Sequence, residues 1–350
     1  DAVSVEVKED GWELGVHIAD VSFYVPQGSL LDKEARTRGT SVYLISHVIP
    51  MFPHELSDDL CSLNADREKL AFSAFIRISR GGEVASVRFE RTVIRVSRRC
   101  SYNEVEKILR GARDADAKKL KTMAELARVL RKRRLARGGL EFEVPEVRIQ
   151  LDAGGQPTGV RVPVRGEAEM LIEDFMLAAN EQVARFLAQK GASLFRIHAS
   201  PDEEKLASFV KFADSVGLRL RLPKENNPRE MQHLLDVVRE SPSAAVLSSL
   251  LLRSMQKAVY STDNPGHFGL AFSDYTHFTS PIRRYPDVIV HRLLAAAVTR
   301  KKAYAAGELS DIADQATRME QNAVDAEREY VRLKGARFLA TRIGETVPGR

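Results

Sequence analysis

Apolar residues in the first hundred positions alternate in the manner of β-strands. Runs rich in Val, Ile, Phe and Tyr occupy residues 12–25, 69–78 and 84–96, with glycine or proline close to their ends. Gly81-Gly82, between the last two runs, predicts a hairpin. A short helix is expected over Leu31–Arg38. The N-terminal part is therefore predicted to be rich in sheet.

Helical periodicity dominates the rest of the chain. Two helical patterns share residues 102–137, and a strand-like stretch follows to about residue 164. Further helices are expected at about 167–190, 202–216, 228–239, 242–258, 286–300 and 308–338. A strand-rich first part packed against a helix-rich second part predicts an α+β, or mixed α/β, fold. Without a repeat or a low-complexity linker, residues 1–340 are expected to form one domain.

Composition and charge narrow the class of protein. The chain is 44 % hydrophobic and 29 % charged, and no apolar run approaches the ~18 residues of a membrane span, which predicts a soluble protein. Cys61 and Cys100 are too few for a disulfide framework and favour a reducing, cytoplasmic setting. Basic residues crowd 88–99, 118–137 and 283–302. They could line a path for a polyanion, although a solvated helix face is the favoured interpretation of 118–137.

Residues 275–292, YTHFTSPIRRYPDVIVHR, hold the densest set of chemically useful side chains. Ser280 followed by Pro281 predicts a helix cap and a first turn, and Pro286 can open a longer helix. Backbone N–H groups at a helix start suit an anion, and two adjacent guanidiniums, Arg283 and Arg284, could hold a phosphate. The segment is predicted to handle phosphate, with solvated arginines in a turn as the alternative.

This segment resembles the signature of the ribonuclease II/ribonuclease R family of 3′-to-5′ exoribonucleases, in which TSPIRRYPD precedes a helix reading VxHR. Other stretches follow the order of the family: HIADVSFYVPQGSLLDKEARTRGTSVYL, VIPM, ELSDDLCSLN, LIEDFMLAANEQVA, FRIHASPDEEK and HFGLAFSDYTHFTSPIRRY. The resemblance runs from Asp1 to about residue 340, and RGTSVYL and VIPM favour the ribonuclease R branch. It identifies residues 1–340 as a catalytic domain of the RNB type.

The resemblance implies an activity and a setting. The expected reaction is processive hydrolysis of single-stranded RNA from its 3′ end to 5′-mononucleotides, with Mg²⁺ as the cofactor. A monomer is expected, with RNA-binding barrels flanking the domain in the intact protein. Residues 341–350 resemble the linker at which the C-terminal barrel begins.

The metal-binding aspartates are where this chain departs from the family. The family holds its metal with four aspartates in a pattern resembling DxxxxxDxDDA, and Asp1 matches only the last of them. Asp1 is the predicted catalytic and metal-binding carboxylate, but two Mg²⁺ ions need several oxygen ligands. Asp10 and Asp20 lie near the same strands, and a turn-capping role is the commoner one for Asp20. Either the other aspartates precede residue 1, or the polypeptide is an inactive RNA-binding module.

The resemblance also assigns roles to individual residues. Arg283 matches the arginine that neutralises charge at the scissile phosphate, and Tyr102 matches the tyrosine over the last nucleotide. Glu173 matches the glutamate that binds the terminal ribose, with Asp174 as the neighbouring candidate. Asn180, seven residues after Glu173, shares its helix face. A 2′-hydroxyl contact at this point would distinguish RNA from DNA.

Further side chains complete the predicted RNA site. The RNA-binding set comprises Glu173, Asn180, Tyr275, Arg284, His291 and Arg292. Asp287 and His291, four residues apart, could pair on one helix face and orient the arginines. Tyr275, with nearby aromatic residues and His267 and His277, could stack bases, although core packing is an equal alternative for Phe268 and Phe272. A protein-interaction scaffold based on the polar helix 308–338 is a third hypothesis.

Overall fold

A computed structural model describes residues 1–142, 148–191, 193–223, 227–301, 304–340 and 342–346. The strands are β1 Ala2–Lys8, β2 Gly11–Ala19, β3 Val42–Tyr43, β4 Val48–Ile49, β5 Glu68–Ser79, β6 Val84–Arg95, β7 Arg148–Leu151, β8 Pro157–Arg161, β9 Phe195–Ile197 and β10 Val259–Ser261. The helices are α1 Val21–Tyr24, α2 Leu30–Arg38, α3 Tyr102–Leu109, α4 Ala117–Ala136, α5 Glu167–Ala188, α6 Glu203–Ser215, α7 Pro228–Arg239, α8 Ala244–Ser254, α9 Tyr285–Val298 and α10 Ala306–Ala340. The predicted mixture of sheet and helix is confirmed.

One antiparallel sheet in the order β1-β2-β5-β6 forms the strand-rich part. Alternation on β2 buries Trp12, Leu14, Val16 and Ile18 completely or almost completely, because β2 lies inside the sheet and α5 covers it. The predicted hairpin between β5 and β6 is confirmed, with Gly82 at a φ of 80°. The sheet therefore places the N-terminus of the chain at its β1 edge.

The first predicted strand is six residues too long at its C-terminal end. β2 ends at Ala19, and residues 21–24 form the short helix α1. The carbonyl of Asp20 accepts the N–H of Phe23, which turns the backbone out of the sheet, while the Asp20 carboxylate is bound to Arg91 and Ser22. The run 21–25 reads as a strand because Val21 and Val25 are apolar and fully buried, although residues 21–24 are helical and Phe23 is 56 % exposed.

Two predicted helix boundaries also differ. The helix expected over 242–258 ends at Ser254, and β10 follows. The helix start expected at Ser280-Pro281 is wrong: residues 281–283 form a turn, and α9 begins at Tyr285 with Arg284 as its N-cap. Long-range bonds set this boundary, since the Arg283 carbonyl accepts the N–H of Ser41 and not a helical donor.

Helices α6, α7 and α8 pack around their own apolar cluster, which includes Phe209, Met231, Leu235 and Leu251. The main core joins the sheet to α5, α9 and α10. Of the predicted linker 341–350, the structure describes only 342–346, as a turn and coil. Residue 302 of the third basic cluster and 143–147 of the strand-like stretch also lie outside the described residues. No described helix is long and apolar enough to cross a membrane.

The long helix α10 joins two walls of the molecule. On one side its Met319 packs against Gly39, and Glu327 accepts the N–H of Tyr43 at 2.8 Å. On the other side Glu320 pairs with Arg196 of β9, and Thr317 accepts the N–H of Tyr260 of β10. The charged helix therefore carries tertiary contacts along much of its length.

Gly39 shows how closely this helix approaches the loop after α2. It has a φ of 70°, its carbonyl accepts the N–H of Tyr285, and an added Cβ would lie 2.4 Å from the Met319 Cβ. Gly28 has a φ of 79°, and a Cβ there would meet nothing within 4 Å. The two glycines thus share a backbone requirement but differ in the space around them.

We expect Gly28→Ala to lower the free energy of unfolding by about 1 kcal/mol through its positive φ. Gly39→Ala should lower the free energy of unfolding by about 1–3 kcal/mol more than Gly28→Ala does, because Met319 must move to make room for the new Cβ. Urea unfolding of the two variants measures the difference. Equal losses would contradict the close approach, and Met319→Ala should recover part of the extra loss at Gly39 only.

Candidate functional site

The turn before α9 exposes one arginine and buries the next. Arg283 extends into solvent, and no described residue forms an ion pair or a side-chain hydrogen bond with its guanidinium. Its carbonyl accepts the N–H of Ser41 and the hydroxyl of Thr40, each at 2.9 Å. The side chain of Arg284 is 16 % exposed and donates to Asp287 Oδ2 at 2.7 Å. The two arginines that are adjacent in sequence therefore have different environments.

Burial would lower the pKa of Arg284, yet the Asp287 carboxylate raises that pKa above its ordinary value. Asp287 is fully buried, and the same Oδ2 accepts the N–H of Ser280 at 2.7 Å. Arg284 is consequently charged but already neutralised by its partner. Of the two predicted phosphate ligands, Arg283 is therefore the one whose positive charge is not neutralised by a described residue.

Behind this turn lies a wall of aromatic and histidine rings. The Tyr275 ring meets His267 and His277 edge-on, at 5.2 and 5.7 Å between centroids. The Tyr260 hydroxyl is hydrogen-bonded to His277 Nδ1 at 2.8 Å, and the His198 ring lies 5.0 Å from His267. Tyr275 is almost fully buried, so its face is occupied by neighbours. Base stacking by Tyr275 stays a prediction, and this arrangement favours support of the wall.

The histidines of this wall are neutral at pH 7. Desolvation, with the positive charges of Arg284 and Arg196, lowers the pKa of His277 well below its ordinary value. Desolvation and the neighbouring His198 lower the pKa of His267 to about 3. The wall therefore supplies polar atoms without adding cationic charge beside Arg283.

Asn180 fixes the segment that carries this wall. The side chain is almost fully buried; its Oδ1 accepts the N–H of Phe278 at 3.0 Å, and its Nδ2 donates to the Tyr275 hydroxyl at 3.2 Å. Glu173, on the same helix, is exposed and paired with Arg165. The two predicted RNA ligands therefore differ. Asn180 holds the segment 275–278 in place, whereas the Glu173 side chain is exposed to solvent.

Asp174, the residue after Glu173, is buried against two arginines of α4. Arg131 lies 2.5 Å and Arg134 3.5 Å from its carboxylate, and burial raises the pKa of Asp174 despite both cations. Arg137 pairs with Glu181 of α5 and lies over the Phe272 ring at 4.9 Å. The solvated-face interpretation of 118–137 is wrong for Arg134, which is almost fully buried.

His291 and Arg292 lie inside the protein. His291 is fully buried, its Nε2 is hydrogen-bonded to the Phe278 carbonyl at 2.8 Å, and its ring stacks on Phe278. Arg292 donates to Asp32 at 2.8 Å and to the Val25 carbonyl at 2.7 Å. Their predicted RNA contacts stay untested, and in this conformation both side chains hold α9 in place. Asp287 and His291, proposed as a pair, are each bonded to other groups.

Asp1 lies at the end of the edge strand β1, whose residue Ala2 is opposite His17. Asp20 is buried and paired with Arg91 at 2.9 Å. Asp10 lies at the other end of the β1–β2 hairpin, roughly 20 Å or more from Asp1 at ~3.3 Å per residue. No group of three metal-binding side chains occurs among the described residues. These residues alone therefore do not fit a Mg²⁺ site, and Asp1 is a single candidate ligand.

Tyr102 begins α3 directly after its capping residue Ser101 and is 49 % exposed. Helix α3 packs on α4 and α5. A second exposed aromatic was not singled out from the sequence: Tyr43 of β3, 47 % exposed, two residues after the Ser41 that binds the Arg283 carbonyl. The RGTSVYL motif contains this tyrosine, and in the structure β3 begins directly after Ser41, which contacts the arginine turn.

The fold and the placement of these motifs are those of an RNB domain, and the model of that domain matches residues 1–300. The chain therefore belongs to the RNB family. It is 40 % identical to ribonuclease R 1 of Lactococcus lactis, over 100 % of this chain and 44 % of that protein. The chain spans about half the length of the curated ribonuclease R relatives it matches.

Solved structures agree with this placement. The apo form of Mycoplasma genitalium ribonuclease R superposes with a TM-score of 0.94 at 30 % identity, over 99 % of this chain and 56 % of that one. The same protein has been solved with ribose-methylated single-stranded RNA. A yeast pseudonuclease has the same fold, with a TM-score of 0.77 at 22 % identity, over 94 % of this chain and 41 % of that one.

The lowered pKa of His267 makes stability depend on pH. The unfolded chain binds the proton near pH 6.5, whereas the folded chain resists it down to about pH 3. The stabilising contribution is complete above the unfolded pKa and is lost as pH falls through this window. We expect His267→Asn, which keeps an acceptor for the Leu270 N–H, to show a shallower fall in unfolding free energy between pH 6.5 and 4. Unfolding at several pH values measures this slope, and parallel curves would contradict the assignment.

Proposed function

We propose that this chain is the catalytic domain of a 3′-to-5′ exoribonuclease that hydrolyses single-stranded RNA processively to 5′-mononucleotides. The observation that carries the proposal is Arg283, which is exposed, has no ion-pair partner among the described residues, and is held at both ends of its turn beside a neutral polar wall. Membership of the RNB family and the ribonuclease R relatives support the reaction class. The RNA-bound relative supports single-stranded RNA as the substrate.

Arg283 supplies the electrostatic part of the reaction. Charge spreads over the non-bridging oxygens as a phosphodiester is attacked, and a guanidinium fixed beforehand stabilises that charge without reorganising. The turn supplies this fixation through the Ser41 and Thr40 bonds to the Arg283 carbonyl. Because His267 and His277 are neutral, they do not compete with Arg283 for the phosphate.

Glu173 is the proposed ribose ligand. Its ion pair with Arg165 is exposed, so opening it for a 2′-hydroxyl costs little, about 1 kcal/mol or less. Accepting that hydroxyl would give RNA a hydrogen bond that DNA cannot make. The aromatic residue that covers the last nucleotide would be Tyr102 or Tyr43, and the position of Tyr43 near the arginine turn favours it.

We propose that hydrolysis is assisted by Mg²⁺, with Asp1 as one ligand. Mg²⁺ would activate water and neutralise phosphate charge when bound. Asp20 lies at the same end of the sheet but pairs with Arg91, and Asp10 lies at the opposite end of its hairpin, so the described residues supply no group of three metal ligands. The two unpaired cysteines suit a cytoplasmic enzyme.

A second candidate function is RNA binding without cleavage. The lone Asp1 carboxylate motivates it, because one carboxylate cannot organise two metal ions. The pseudonuclease that shares this fold shows that the architecture alone does not decide activity. Both candidates predict RNA affinity that weakens steeply with salt, whereas a protein-interaction scaffold does not.

An RNA degradation assay separates these functions. We expect this chain, extended by the segment that precedes it in its gene, to shorten a 5′-labelled single-stranded RNA from the 3′ end in Mg²⁺ and to stop when EDTA is added. The chain without the extension and an Asp1→Asn variant are the matched controls. Salt-sensitive RNA binding without degradation in every form would replace the enzyme proposal with the binding module.

Arg283→Ala should lower turnover of the active form about 100- to 1000-fold, as loss of a preorganised transition-state donor does. Its affinity for a ribose-methylated RNA should change much less, because the contact strengthens as charge develops. Single-turnover rates and fluorescence anisotropy measure the two quantities. Arg332→Ala, an exposed arginine on α10, is the control, and equal losses in rate and affinity would make Arg283 a binding residue.

A further inference from the structure

One carboxylate oxygen of Asp287 holds two parts of the arginine turn. Asp287 Oδ2 accepts the N–H of Ser280, where the turn begins, and the guanidinium of Arg284, where it ends, both at 2.7 Å. A single acceptor thereby fixes the distance across the turn. Asp287 belongs to the first turn of α9, so it also ties the turn to the core.

The opposite side of the turn is fixed by backbone contacts. The Arg283 carbonyl accepts from Ser41 and Thr40, and the N–H of Tyr285 donates to the Gly39 carbonyl. The loop after α2 and the start of α9 therefore hold the turn from two directions. Within the described structure, the Arg283 side chain is the part of the turn that these contacts leave free.

The geometry of the Asp287–Arg284 pair favours position over stability. Neither Asp287 Oδ1 nor Arg284 Nε has a hydrogen-bond partner among the described residues, although both atoms are buried. A pair serving stability alone would gain from two parallel bonds, because a buried orphan group is costly. In this pair the second parallel bond, between Oδ1 and Nε, is absent, and Oδ2 accepts the Ser280 N–H in addition to the guanidinium.

We propose that Asp287 is a positioning residue that braces the Ser280–Arg284 turn, removes Arg284 from phosphate binding by neutralising it, and so presents Arg283 alone to the scissile phosphate. This inference rests on the proposed function. It assigns the two arginines separate tasks: Arg284 holds the turn, and Arg283 meets the substrate.

A double-mutant cycle between Asp287→Asn and Arg283→Ala tests the proposal in the active form. Asn keeps the size and one acceptor but removes the charge. If Asp287 acts by positioning Arg283, Asp287→Asn should lower kcat about tenfold or more. KM and the affinity for ribose-methylated RNA should change less than about threefold. In the Arg283→Ala background the same change should lower kcat less than about twofold, because its effect has already been lost. Additive losses would overturn the proposal.

Asp32→Asn controls for a general loosening of α9. Asp32 is another buried carboxylate, paired with Arg292 of the same helix, and it binds no group of the Ser280–Arg284 turn. The Asp32→Asn variant should lower the unfolding midpoint about as much as Asp287→Asn does, while its kcat stays within about threefold of the wild type. An equal loss of kcat in Asp32→Asn would assign the Asp287 effect to stability and refute a positioning role.

Thr40→Val keeps the test valid if Asp287→Asn fails to fold. It removes the hydroxyl that donates to the Arg283 carbonyl without leaving a buried charge unpaired. We expect kcat to fall about threefold with an unchanged unfolding midpoint, and no further fall in the Arg283→Ala background. A fall that persists without Arg283 would overturn the positioning model. A wild-type active form that does not degrade RNA would instead refute the proposed function, so the two failures are distinguishable.

Discussion

Two arginines shielded from water, Arg284 at the N-cap of α9 and Arg292 within it, need counter-charges, and this requirement organises the centre of the molecule. A guanidinium deprived of water is tolerated only with a carboxylate and further hydrogen-bond acceptors close by. Asp32 meets the need of Arg292 and also accepts the Tyr285 hydroxyl at 2.9 Å, which brings α2 against α9. Asp287 meets the need of Arg284 from within the helix. The Asp32 pair thus fixes α2 against α9, and Asp287 separately fixes the turn before α9, from which Arg283 faces solvent.

The family resemblance and the element order were predictable because they depend on local signals. Alternating apolar residues gave the strands of the main sheet, and the Ser101 cap with Glu104 marks the start of α3. Where prediction failed, a distant partner had set the local structure. The strand over 12–25 breaks at Asp20 because Arg91, on β6, binds its carboxylate. The start of α9 moves past Ser280 because Ser41 binds the Arg283 carbonyl.

In the candidate site, too, local sequence patterns identify the residues, whereas contacts with distant residues determine their environments. Motifs identify which side chains are special, but a one-dimensional pattern does not say which of them face solvent. The family resemblance assigns Arg283 and Arg284 different roles, but only the packed structure places one in water and the other against Asp287. Asn180 and Glu173 share a predicted helix face, yet one is buried under Phe278 and the other is exposed. Partner identity and burial are properties of the packed chain, so neither could be read from spacing.

Helix α10 has a consequence for where this domain can be cut. The matched family region ends at residue 300, yet α10 supplies the counter-ion of Arg196, the acceptor for the Tyr260 N–H and the apolar contacts of Leu309 and Ile312. A recombinant fragment that stops at the family boundary would leave Arg196 unneutralised and expose part of the core to water. Such a fragment would be prone to aggregate during expression, so the practical C-terminal boundary lies beyond the last turn of α10.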